Sequence, residues 1–146
     1  MNQYEYLKVQ TEQLTEMLKS IPPSCQEEVF LTLFRALKNS KQEQSVEDEI
    51  RNHTNDGKDL LDAISSKEPS SNLDRTLVFA YVMDKSGIKK ISMKHVECCY
   101  SICDLKVHGN LVQNLRDASG SRYRYLDFVQ DHYEITKRGI DIFEAM

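Results

Sequence analysis

The chain has 146 residues, 40% hydrophobic and 29% charged, with a net charge of −4. That is enough for one ordinary domain, or a small domain with an extension, in a composition typical of water-soluble proteins. No apolar run reaches the roughly 20 residues that a bilayer-crossing helix needs. The opening MNQYEYLKVQTEQ has no basic segment leading into an apolar one, so no secretory signal is expected and the expected location is the cytoplasm.

In chain order, YEYLKVQTEQLTEMLKSI sets Tyr4, Leu7, Thr11, Leu14, Leu18 and Ile21 at spacings of three and four, which predicts a helix with one apolar stripe. Pro22 and Pro23 end it, because neither can donate the next backbone hydrogen bond. SCQE then predicts a capping box, with the Ser24 hydroxyl accepting from the Glu27 amide and the Glu27 carboxylate reaching back. Val29, Phe30, Leu33, Phe34 and Leu37 continue as a second helix with a broad apolar face. Residues 1–38 therefore predict a helical hairpin, too small to bury a core alone. Residues 39–71 are polar and poor in aromatics. Up to Gly57 they predict a linker, or at most a frayed helix around Val46 and Ile50, followed by a short helix at KDLLDAI and a loop at SSKEPSSN.

Residues 72–146 are patterned more densely. Asn72 can cap a helix, LDRTLVFAYVMDKS, whose apolar face holds Leu73, Leu77, Ala80 and Tyr81, with Val78 and Met83 on its edge. Gly87 suits the left-handed position after it. KKIS is long enough for a single bridge. Ser92 opens MKHVECCYSICDL, with Val96, Cys99, Tyr100 and Cys103 inward. After a break at KVHG, Asn110 to Ala118 predicts a third helix, with Leu111, Leu115 and Ala118 inward and Gly120 ending it. RYRYLDFV and HYEI predict two strands joined by the turn QD. Thr136 caps a last helix, KRGIDIFEAM, with Ile140 and Phe143 inward. The expected fold class is mostly α with a small β-hairpin.

The order helix, short strand, helix, helix, strand, strand, helix resembles the winged helix-turn-helix domain of bacterial and archaeal transcription regulators, here preceded by the N-terminal helical hairpin. The resemblance covers residues 72–146. Beside the element order it is carried by ISMKHV at the opening of the helix-turn-helix. It is also carried by YEITKRG, where a wing strand would run into a Thr-capped helix with Gly in its first turn.

The resemblance implies double-stranded DNA as partner, with the third helix in the major groove. By position that helix is Asn110 to Ser119, with Asn110, Gln113, Asn114 and Asp117 outward. Amides can pair bidentately with adenine, and Arg116 would serve guanine or a phosphate. Asp117 would repel phosphate. Arg122 and Arg124 alternate along the predicted strand, so both share one face and would hold phosphates or enter a narrow minor groove. On the plainer reading they guard a strand edge. Lys94, with Lys89 and Lys90, would add backbone contacts. Regulators of this kind pair through helices outside the reading head, which implies a homodimer through the N-terminal helices; an intramolecular cap is the alternative.

Charge is equivocal. Residues 1–71 hold 8 Lys and Arg against 13 Asp and Glu, and residues 72–146 hold 11 against 10, where strong DNA binders usually show a clearly basic face. The other reading is therefore a protein-interaction adaptor on the same fold, which would scatter its cations and expose an apolar patch. Of the four cysteines, Cys25, Cys98, Cys99 and Cys103, none sits in a disulfide-rich or zinc-finger spacing, so reduced thiols are expected. Cys99 and Cys103, with His95, lie on one helical face that is best read as core, while Cys98 is expected nearer the surface. No phosphate-binding glycine loop or nucleophile motif is present. Neither a metal, a cofactor nor catalysis is expected.

Overall fold

A computed structural model describes residues 3–146, apart from the side chains of residues 3, 4, 6, 7 and 40–44. The Tyr4 and Leu7 side chains of the first predicted stripe thus lie outside the described residues. The order is α1 (Gln3–Leu18), α2 (Pro23–His53), α3 (Lys58–Lys67), α4 (Asn72–Lys85), α5 (Met93–Ile102), α6 (Leu111–Ser119), β1 (Leu126–Val129), β2 (His132–Ile135) and α7 (Lys137–Ala145). The protein is mostly α, with a small antiparallel hairpin near its C-terminus. Among the described residues no helix is long and apolar enough to cross a membrane. The chain forms two compact units, residues 1–42 and 43–146.

The first unit is α1 and the start of α2. α2 begins at Pro23, where a missing N–H costs nothing because the first helical amides have no partner anyway. Ser24 consequently lies inside the first turn rather than capping it. Gln26 closes the end of α1 instead: its Nε2 donates to the Leu18 and Ile21 carbonyls at 3.1 and 2.9 Å. Leu14 is buried, and Leu18, Val29, Phe30, Leu33 and Leu37 are half-buried. The rings of Phe30 and Phe34 stack at 5.9 Å.

The second unit holds the main core. Where a polar linker is expected, α2 runs on to His53. Ile50 on its inner side is fully buried, and the buried Thr54 hydroxyl donates to the Ile50 carbonyl at 2.6 Å. A single buried isoleucine repays roughly 1.5–3 kcal/mol, enough to hold a helix end that local composition does not favour. α4 is the central element, with Thr76 through Ala80, Val82 and Met83 buried. Its Phe79 meets Tyr100 of α5 edge to face at 5.1 Å, and its Tyr81 stacks on Phe143 of α7 at 3.7 Å. Ser71, not Asn72, caps α4 by accepting from the Asp74 amide at 3.1 Å.

α5 opens on a capping box in which His95 takes the place usually held by Glu or Gln. The Ser92 amide donates to His95 Nδ1 at 3.1 Å. Nδ1 is therefore the acceptor, the ring proton sits on Nε2, and Nε2 donates to Glu49 of α2 at 3.1 Å.

β1 and β2 pair with Leu126 opposite Ile135 and Val129 opposite His132, which leaves Gln130 and Asp131 as a two-residue turn with Gln130 at φ 59°. Ile91 exchanges two backbone bonds with Tyr133, at 2.9 and 2.7 Å, so β2 lies between Ile91 and β1. The strand predicted from residue 122 starts only at Leu126. Arg124 takes a left-handed φ of 52°, and its amide bonds the Gly120 carbonyl at 2.9 Å, which makes residues 120–125 a turn. The Thr136 hydroxyl caps α7 by accepting from the Gly139 amide at 2.9 Å. A Cβ on Gly139 would sit against the Tyr125 carbonyl oxygen. Only glycine lets α7 come this close to the turn that carries Arg122 and Arg124.

Candidate nucleic-acid interface

The candidate site is built on α6 and the turn that comes after it. Leu111, Leu115 and Ala118 are buried as expected and pin the helix to the core. Asn110 is its N-cap rather than its first residue: the carboxamide oxygen accepts from the Val112 and Gln113 amides at 3.0 and 3.3 Å. That oxygen is therefore engaged in holding the helix start, although the side chain is exposed.

Asn114 is a correction. It is half-buried and turned inward, where its Nδ2 donates to the Asn72 carbonyl at 3.1 Å and to the hydroxyl of the fully buried Thr76 at 2.9 Å. The Asn72 side-chain Nδ2 in turn donates to the His108 carbonyl ahead of α6. This polar cluster ties α6 and its leading turn to α4, and its cost of burial is offset because its donors find acceptors.

The outward face of α6 is Val112, Gln113, Arg116 and Asp117. Gln113 Nε2 donates to Asp117 Oδ1 at 2.8 Å, so the one carboxylate on this face partly occupies the amide. Arg116 is exposed near the end of α6, and Arg122 and Arg124 are exposed in the turn just beyond. The Arg122 guanidinium lies 5.2 Å from the Tyr123 ring centre. The two arginines do not share a strand face, because no strand runs there. Lys94, half-buried in the first turn of α5, has its Nζ 3.1 Å from Glu97.

The hairpin itself is acidic and apolar. Asp127 and Glu134 are cross-strand partners, and Asp131 is in the turn. Phe128 is 59% exposed, and its ring lies 4.9 Å from that of Tyr133. Between the carboxylates sits His132, only 8% exposed, with Nδ1 3.1 Å from Asp131 and Nε2 2.9 Å from Glu134. The bonds from Glu134 and Asp131 raise the His132 pKa, and the bond from His132 lowers that of Asp131. Sequence reasoning passed over this group; its signal is the run DHYE, a histidine beside one carboxylate and two residues from another.

Cys98, expected nearer the surface, is buried with Cys99 and Cys103. Burial pushes the Cys103 thiol up to about 11 and that of Cys99 well above its ordinary value. Both are neutral at physiological pH and behave as small hydrophobes. Ser92 Oγ, His95 and Glu49 stand in series, with Ser92 Oγ 2.7 Å from Nδ1. The nitrogen that would take the serine proton already accepts the Ser92 amide, so this series is a helix cap tied to α2. Among the described residues no group of three or more His, Cys, Asp or Glu is placed to hold a metal ion. A scan against protein-family models and searches of curated proteins and of solved structures return no match for this chain.

Proposed function

We propose that residues 72–146 act as a winged-helix reading head that contacts double-stranded DNA, in a non-enzymatic, cytoplasmic regulator of transcription with no cofactor. The observation that carries this is α6 itself. It comes after a tight turn and before a hairpin, presents Gln113 and Arg116 outward, and leads at once into exposed Arg122 and Arg124. In this arrangement Gln113 and Arg116 meet base edges, Arg122, Arg124 and Lys94 hold phosphates, and Asn110 secures the helix start. Asn114 positions α6 from below and touches no base. The carboxylates of the hairpin turn it away from the backbone, so the arginine-bearing turn does the gripping.

The same proposal includes a homodimer joined through α1 and the start of α2. In the first unit Phe34 is 41% exposed, and Met17, 60% exposed, lines an open, mainly apolar cavity of about 400 Å³ with Leu14, Leu33, Ala36, Leu37, Gln10 and Gln13. A second copy would cover this face and set two heads for a two-fold site.

The test is fluorescence anisotropy with mixed-sequence duplex DNA at two salt concentrations. Three phosphate contacts from one head alone predict about a 40-fold loss of affinity between 50 and 200 mM salt, and engagement of both heads of a dimer a steeper loss. The Arg122→Ala/Arg124→Ala double variant should bind more weakly and with a shallower salt slope. Absence of binding at 50 mM salt overturns the reading. A second reading, a protein-interaction adaptor, is favoured by the exposed Phe128 and Val129 among the hairpin carboxylates, and such a protein would show that absence.

A further inference from the structure

The two ring nitrogens of His132 both face carboxylate oxygens, at 3.1 Å from Asp131 and 2.9 Å from Glu134. A neutral imidazole has one N–H and one lone pair, so it can donate to only one of them. The imidazolium has two N–H groups and satisfies both. The hairpin supplies a reason for the charge: Asp127 in β1 stands directly across from Glu134 in β2, and like charges in that position weaken a strand pair. The other ionisable groups nearby are Tyr133, the next residue of β2, and Lys90, ahead of the Ile91 bridge, which acts on Asp131.

We infer that His132 is a proton switch for the hairpin. Protonated, it clasps Asp131 in the turn to Glu134 in the strand. Neutral, it releases one of the two and leaves the hairpin one charge more negative. The clasp rests on geometry alone; its effect on DNA rests on the proposed reading head, because a more negative hairpin beside α6 repels phosphate more strongly. DNA affinity then falls as pH rises past the His132 midpoint.

Two measurements on the full chain test this. The first is an NMR titration of the imidazole resonances. The expected His132 midpoint lies above 6.5 and moves down in Glu134→Gln; a midpoint at or below 6.5, or one that Glu134→Gln leaves in place, overturns the clasp. The second is duplex anisotropy at pH 6 and 8.5. Wild type should bind about two- to fivefold more weakly at the higher pH, the effect of one charge in a solvent-screened surface cluster, and His132→Gln should lose most of that difference. An unchanged difference in His132→Gln overturns the regulatory role. Absence of DNA binding at both values overturns the reading head and this role with it, while the NMR midpoint independently decides the clasp.

Discussion

Beneath α6, the buried Thr76 and the half-buried Asn114 and Asn72 form a neutral polar cluster. On the hairpin, His132, Asp131 and Glu134 form a charged cluster at the surface, with Asp131 and Glu134 exposed. The first is made of amides and a hydroxyl, joined by the Tyr100 phenol whose pKa burial raises above its ordinary value, so it holds α6 in one place across the physiological pH range. The second is made of groups that titrate, so its bonds depend on proton supply. The proposed reading head would need the first kind of cluster behind its contact surface and would be modulated by the second kind beside it. That division of labour can be broken from either side.

The largest effect is expected beneath α6. Asn114→Ala removes two hydrogen bonds, to the Asn72 carbonyl and to the buried Thr76 hydroxyl, which keeps its bond with Tyr100. The expected loss is about 2–3 kcal/mol. For a unit of this size that lowers the melting temperature by roughly 10–20 °C, measurable by calorimetry. The loss should be the same at pH 5.5 and 8.5. A pH-dependent loss would mean that the two clusters are coupled.

Next comes the support of the arginine-bearing turn. Gly139→Ala forces a methyl group against the Tyr125 carbonyl and should cost about 1–3 kcal/mol. Thr136→Ala removes the α7 cap and a donor to the Arg124 and Tyr125 carbonyls, for about 1 kcal/mol. If these residues set the turn and not only α7, both variants should lose DNA affinity beyond what their unfolded fraction explains.

The two clusters also differ in how far the sequence discloses them. Local chemistry is legible: Thr136 three residues before Gly139, the QD turn and the inward Leu111, Leu115 and Ala118 are all dictated by near neighbours, and the shortness of KKIS limits Ile91 to a single bridge without naming its distant partner Tyr133. Asn114 is not legible, because its acceptors lie 38 and 42 residues away in α4. A polar residue in an amphipathic helix reads as outward until such a partner is known. RYRY mimics a strand by alternation, yet Arg124 takes a left-handed φ that alternation cannot reveal. The run of α2 to His53 is hidden for a similar reason: Val46 and Ile50 are its sparse apolar signal, and the burial that holds Ile50 comes from distant parts of the chain.

The smallest effect is expected on the hairpin, and its sign is what carries information. His132 has a raised pKa, so the stability it contributes is fully present below its ordinary value near 6.5 and is lost as pH rises through the raised midpoint. Asp131 has a lowered pKa, so its contribution is present above its ordinary value near 3.8 and is lost as pH falls through the lowered one. The hairpin should be tightest between about pH 4 and 6.5, and solvent screening of the exposed carboxylates keeps the effect modest. Thermal melts of wild type and His132→Gln should lie furthest apart at pH 5.5 and converge by pH 8.5. Melts that stay equally spaced at both values would show that His132 contributes packing rather than charge, and the contrast between a fixed underside and a titrating hairpin would then fail.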